Sequence, residues 1–71
     1  MAHTMDELEQ IVDRVGPKAV IELLAIICEE KAEHVMLNWQ DQILAAAWRR
    51  NARALDLVTY KIEDLSHRVR S

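Results

Sequence analysis

The side chains best suited to binding chemistry cluster in the last third of the chain. Arg49, Arg50 and Arg53 lie close together, and Leu57 and Tyr60 follow Arg53 at helical spacing. An arginine face beside an aromatic ring holds phosphates and stacks on bases in many RNA-binding proteins. The same face grips an acidic protein through charge-assisted pairs, with the larger side chains as apolar anchors. These five residues are therefore predicted to bind a partner, a protein first and RNA as the alternative, unless they form an ordinary solvated face.

Histidine and acidic side chains at helical spacing raise the question of a metal site. Glu30 and His34 are four residues apart, and Asp64 and His67 are three apart. Such pairs ligate metal from one helix face in helical bundles. A carboxylate bundle needs Glu-x-x-His on two helices, and neither pair has that form. The sequence predicts no metal ligands and no cofactor.

An acidic ridge on the predicted second helix, Glu22, Glu29 and Glu33, is most simply a solvated face. With Glu30, the last two residues resemble the first acidic cluster of all-α nucleotide pyrophosphatases of the MazG kind. That resemblance implies magnesium held by a Glu-Glu-x-x-Glu pattern, and it covers five of the 71 residues. The family's second cluster, Glu-x-x-Asp, is absent from the sequence, so magnesium ligation would be incomplete. A metal-dependent all-α enzyme is the third alternative.

Nothing else in the sequence specifies catalysis. Cys28 lies inside an apolar stretch with no histidine one turn away, where a cysteine behaves as a small hydrophobe. One glycine in the whole chain leaves no room for a glycine-rich phosphate loop. The protein is predicted not to be an enzyme.

The arginines lie on a predicted long third helix with a heptad seam. Seam residues recur at spacings of four and three: Leu44, Trp48, Asn51, Leu55, Val58, Ile62, Leu65 and Val69. Such a pattern is typical of helices that pack together in oligomers. Small residues on both flanks of the seam, Ala45 and Ala52 on one and Ala47 and Ala54 on the other, predict close neighbours on more than one side. Asn51, a polar residue in the seam, either fixes the register of association or lies at a bend or a wet layer.

Three helices are predicted, at residues 4–15, 17–37 and 42–69. Thr4 and Glu7 form a capping-box pattern for the first, and Pro17 separates it from the second. The second helix is apolar around most of its circumference and is predicted to be the most buried element. A turn is expected at residues 38–41, with Asn38 as the cap and Trp39 closing the end of the core.

Composition favours one small all-α domain over residues 1–71. The chain has one Gly, one Pro, no Phe and 51% apolar residues. Residues 1–41 carry nine acidic and three basic side chains (-6) and residues 42–71 carry three and six (+3), which favours folding the third helix back along the second. A chain this short gains from oligomerisation. We therefore predict a helical hairpin with a short N-terminal helix, associating as a homodimer with a four-helix core, in the cytoplasm and without a membrane segment.

Overall fold

Three helices make up the computed structural model, which describes residues 2–65. They are α1 (Ala2–Val15), α2 (Pro17–Trp39) and α3 (Gln42–Thr59), and no strand occurs among the described residues. The α2 and α3 helices pack against each other along their lengths as a hairpin, and α1 contacts α2. The predicted all-α class and the helical hairpin are confirmed.

A single glycine separates the first two helices. Its amide donates to the Val12 carbonyl at 2.8 Å, which closes the last turn of α1. Gly16 has φ 86°, a conformation that a side chain would disfavour, and Pro17 then begins α2. The α1 helix begins at Ala2, so the predicted cap at Thr4 is wrong, because Thr4 lies inside the helix.

The turn of the hairpin is shorter than the predicted residues 38–41. The α2 helix continues through Trp39 and ends at Gln40, which adopts the left-handed conformation at φ 52°. The Asn38 amide bonds back to the His34 carbonyl at 2.9 Å, so the predicted cap at Asn38 is wrong. Trp39 is 73% exposed and does not close the core. The cap of α3 is Asp41, whose carboxylate accepts from the Leu44 amide at 2.9 Å.

The Asp41 cap supports a first prediction. Asp41→Ala removes the acceptor for one of the free amides at the start of α3, and the expected loss is about 1 kcal/mol of the free energy of unfolding. Urea denaturation followed by circular dichroism measures it. Asp41→Asn, which keeps a capping oxygen, is the matched control and should retain most of the stability. Equal losses in both variants would contradict the role of the cap.

Small side chains fill the interface between α2 and α3. The buried apolar residues are Ala25, Cys28, Ala32, Val35, Ala45 and Ala52. Of these, the three alanines at 32, 45 and 52 are 0% exposed. Their spacing of three, four and seven residues places them in one stripe on each helix. Two stripes without bulky side chains allow the helix backbones to approach closely.

The third helix ends ten residues before the predicted 69, at Thr59. The Thr59 hydroxyl donates to the Leu55 carbonyl at 2.6 Å, which satisfies a buried polar group. Short-range bonds from the amides of Lys61 to Val58 and of Ile62 to Thr59 then tighten the chain into a turn. The predicted seam therefore does not run on one continuous helix. Ile62 and Leu65 lie beyond the end of α3, and Val69 lies outside the described residues.

Candidate functional site

The predicted partner-binding residues share an exposed surface on α3. Arg49, Arg50 and Arg53 are exposed, Leu57 is 69% exposed, and Tyr60, which caps the C-terminal end of α3, is 85% exposed. Arg50, Arg53, Leu57 and Tyr60 follow one another at spacings of three and four, and Arg49 is next to Arg50. The five residues therefore lie on one side of the helix, apart from the stripe of buried alanines. The five residues are called the arginine face below.

Within the part of the chain that the structure describes, the three arginines of this face are unpaired. The guanidinium groups of Arg49, Arg50 and Arg53 take part in neither an ion pair nor a side-chain hydrogen bond among residues 2–65. Each guanidinium carries five N–H donors in a planar fork suited to carboxylate or phosphate oxygens. These donors are free to bind an acidic group from another molecule.

A polar hollow adjoins one end of the arginine face. Its volume is about 260 Å³, and it is lined by Lys18, Glu22, Asp56, Thr59 and Tyr60. Two carboxylates and one ammonium group line it, so the hollow has no strong preference for one sign of ligand charge. It extends the exposed surface from the end of α3 to the start of α2.

The other side of the hairpin is apolar. Leu44 and Val58 are 45% and 40% exposed on α3, and Asn51 between them is also exposed. A shallow hollow of about 330 Å³ lies between the two helices beside them, lined by Leu24, Cys28, Asn51, Ala54 and Leu55. These residues, with Ala47 and Trp48, are called the groove face. A second hollow on the same side is lined by Leu44, Ala47, Trp48 and Asn51. No charged side chain lines either hollow, so this side is suited to an apolar partner.

The predicted seam is thus divided between two environments. Trp48 and Leu55 are half-buried, and Trp48 packs with Met36 against the buried cluster of Ala32, Val35 and Ala45. Leu44, Asn51 and Val58 face outward. Ile62 and Leu65 are half-buried beyond the helix end. The seam residues on α3 therefore border the hairpin interface rather than forming its centre.

The large apolar side chains of α2 were expected to be buried and are not. Leu23, Leu24, Ile26 and Ile27 are between 41% and 54% exposed. The apolar pattern of α2 predicts burial, and these side chains are instead exposed on several sides of the helix. The stripe of small residues at 25, 28 and 32 indicates this exposure in the sequence. If that stripe faces α3, the large residues on the other sides of α2 cannot.

The acidic and histidine residues do not assemble into a metal site among the described residues. Glu22, Glu29 and Glu33 are exposed on α2, and no group of three or more potential ligands close enough to hold an ion occurs within residues 2–65. His34 lies next to Asn38, with 3.1 Å between its Nδ1 atom and the Asn38 amide nitrogen. His67 lies outside the described residues.

The chain has no match among protein families, curated proteins or solved structures. Among the described helices, none combines the length and the apolar character needed to cross a bilayer.

Proposed function

We propose that this chain is a small regulatory or adaptor-type protein-binding module that acts as a homodimer. One observation carries the proposal: the buried positions hold mainly small residues, while most of the large apolar residues of α2 and α3 are exposed. A helix that is apolar around most of its circumference is normally buried on more than one side. The hairpin covers only one stripe of α2, so further apolar surface is left for another molecule to cover.

Sedimentation velocity over a wide range of protein concentrations tests the homodimer. The expected result is a species of twice the chain mass at high concentration, dissociating to the monomer on dilution. Light scattering on the same samples gives the mass independently of shape. A monomer at every concentration would overturn the homodimer and leave the apolar surface to a different protein.

The arginine face is proposed as the surface that binds the regulated partner. Its free guanidinium groups match an acidic segment, and Leu57 and Tyr60 supply the exposed apolar contact that anchors a protein interface. Because this face and the groove face are on different sides of α3, a homodimer formed through the groove face leaves the arginine face accessible.

RNA binding is the second candidate function, because the same three guanidinium groups are unpaired among the described residues. A fluorescent single-stranded RNA oligonucleotide is the probe. Protein binding as proposed predicts no RNA binding near physiological salt. If RNA binds instead, the logarithm of its affinity should fall against the logarithm of salt with a slope of about -2, since three arginines each contribute about 0.7.

Arginine variants separate these outcomes. Arg50→Ala and Arg53→Ala should each reduce that slope if the arginine face holds phosphates. Arg14→Ala is the matched control, since Arg14 is an exposed arginine on α1. A salt-dependent RNA affinity that Arg50→Ala and Arg53→Ala lower, and that Arg14→Ala leaves unchanged, would replace the protein-binding proposal with RNA binding.

A further inference from the structure

The exposed side of α3 has a pattern that reads almost the same in both directions. Leu44, Ala47, Asn51, Ala54 and Val58 follow one another at spacings of three and four. A large apolar residue lies seven positions on either side of Asn51, and an alanine lies three or four positions on either side. Reversing the helix about Asn51 therefore superposes Leu44 on Val58, and it superposes Ala47 on Leu55 and Trp48 on Ala54.

Two hollows flank Asn51 along α3. One, of about 170 Å³, is lined by Leu44, Ala47, Trp48 and Asn51. The larger one, of about 330 Å³, includes Asn51, Ala54 and Leu55 among its lining residues. Positions 47 and 48 map onto 55 and 54 when the helix is reversed about residue 51. Asn51 thus belongs to both hollows and lies at the centre of the pattern.

The Asn51 side chain has no partner of its own within the described residues. Its amide makes no hydrogen bond among residues 2–65, although it sits among alanine and leucine side chains. An amide carries both donors and an acceptor, so two copies satisfy each other when they meet across a two-fold axis. A single polar residue in an apolar helix interface specifies register in this way.

We propose that a second copy of this chain covers the groove face, with the two α3 helices antiparallel and the two-fold axis passing between the Asn51 side chains. This inference rests on the proposed homodimer and specifies its partner, face and register. Leu44 then lies opposite the partner's Val58, Ala47 lies opposite the partner's Leu55, and Trp48 lies opposite the partner's Ala54. The alanines allow the helices to approach, and the larger side chains enter the hollows on either side.

The composition of the groove face supports a copy of itself over an unrelated partner. Neither of its two hollows is lined by a charged side chain, so two copies meet without placing like charges together. An isologous interface requires a surface that is complementary to itself. Pairing about Asn51 provides it, because a small side chain meets a large one at Ala47 with the partner's Leu55 and at Trp48 with the partner's Ala54.

Disulfide crosslinking of the full chain tests the arrangement. Each variant carries Cys28→Ala, because Cys28 is a buried free thiol that lines the groove hollow. Asn51→Cys, Leu44→Cys and Val58→Cys are made singly in that background and oxidised mildly at concentrations where the Cys28→Ala protein sediments as a dimer. Circular dichroism confirms that each variant keeps its helix content.

The antiparallel arrangement predicts a specific set of crosslinks. Asn51→Cys should form a covalent dimer on its own, because position 51 faces itself across the axis. Leu44→Cys and Val58→Cys should each stay uncrosslinked alone and crosslink when mixed. In a parallel pair every position faces itself, so Leu44→Cys would crosslink alone, and that result would overturn the proposal.

Two other outcomes also overturn the inference and separate it from the proposed function. A protein that sediments as a dimer but fails to crosslink through Asn51→Cys associates through another face, and the proposed homodimer survives. A protein that sediments as a monomer throughout removes the homodimer itself.

Discussion

Ala52→Leu is expected to lower the free energy of unfolding by about 2 to 3 kcal/mol, because overpacking a fully buried site is destabilising. Ala52 is 0% exposed in the stripe of small residues between α2 and α3. A leucine there would force the backbones apart or take up a strained rotamer. The loss of close packing would extend to Ala32 and Ala45, which line the same interface. Urea denaturation followed by circular dichroism, at one protein concentration, measures the change.

The matched control for this substitution is Ala46→Leu. Ala46 lies on the same helix but is half-exposed, so its replacement has room to point toward solvent. Leucine and alanine are both good helix formers, and the control should change stability by less than about 0.5 kcal/mol. Equal destabilisation by both variants would mean that the small-residue stripe does not define the hairpin interface.

Leu24→Glu is expected to raise the dissociation constant of the proposed homodimer by roughly a hundredfold or more. Leu24 lines the larger hollow of the groove face beside Asn51 and Leu55. Association of the variant would bury two unpaired carboxylates, one from each copy, and each would cost about 1.5 kcal/mol or more. Every 1.4 kcal/mol is a tenfold change in affinity. Sedimentation equilibrium of the variant and the unmodified protein measures the ratio.

The neighbouring Leu23 offers a close control. It is 50% exposed, against 41% for Leu24, but its position one residue earlier places it on a different side of α2. Leu23→Glu should leave the dissociation constant nearly unchanged. If Leu23→Glu dissociates the dimer and Leu24→Glu does not, the second copy covers the back of α2 and the groove face is free.

Local signals in the sequence were sufficient for the class of fold. The scarcity of glycine and the frequency of alanine, leucine and glutamate favour helix in every segment, because helix propensity is a property of each residue and its near neighbours. Pro17 lacks an amide hydrogen and cannot continue α1, so the first break is set by covalent structure. The hairpin followed from the charge difference between the two halves and the weak helix signals near residue 40.

The end of α3 does not follow from these local signals. The seam pattern continues through Ile62 and Leu65, and neither glycine nor proline interrupts it. The helix nevertheless ends at Thr59, where the buried hydroxyl bonds back to Leu55 and the chain turns. A periodic sequence shows that a helix is compatible with a segment, whereas tertiary contacts decide how far it extends.

By itself, the sequence determined the all-α class, the helical hairpin and the residue types available on each side of α3. Only the tertiary structure decided which side faces inward. Two stripes of α3 are candidates for the side that faces α2. One consists of the large residues from Leu44 to Val58, and the other consists of the small residues Ala45 and Ala52. The small residues face α2 because they meet the small stripe of Ala25 and Ala32, and close backbone approach requires both partners to be small. That pairing is non-local, and it leaves the larger side chains outside for the second copy that we propose.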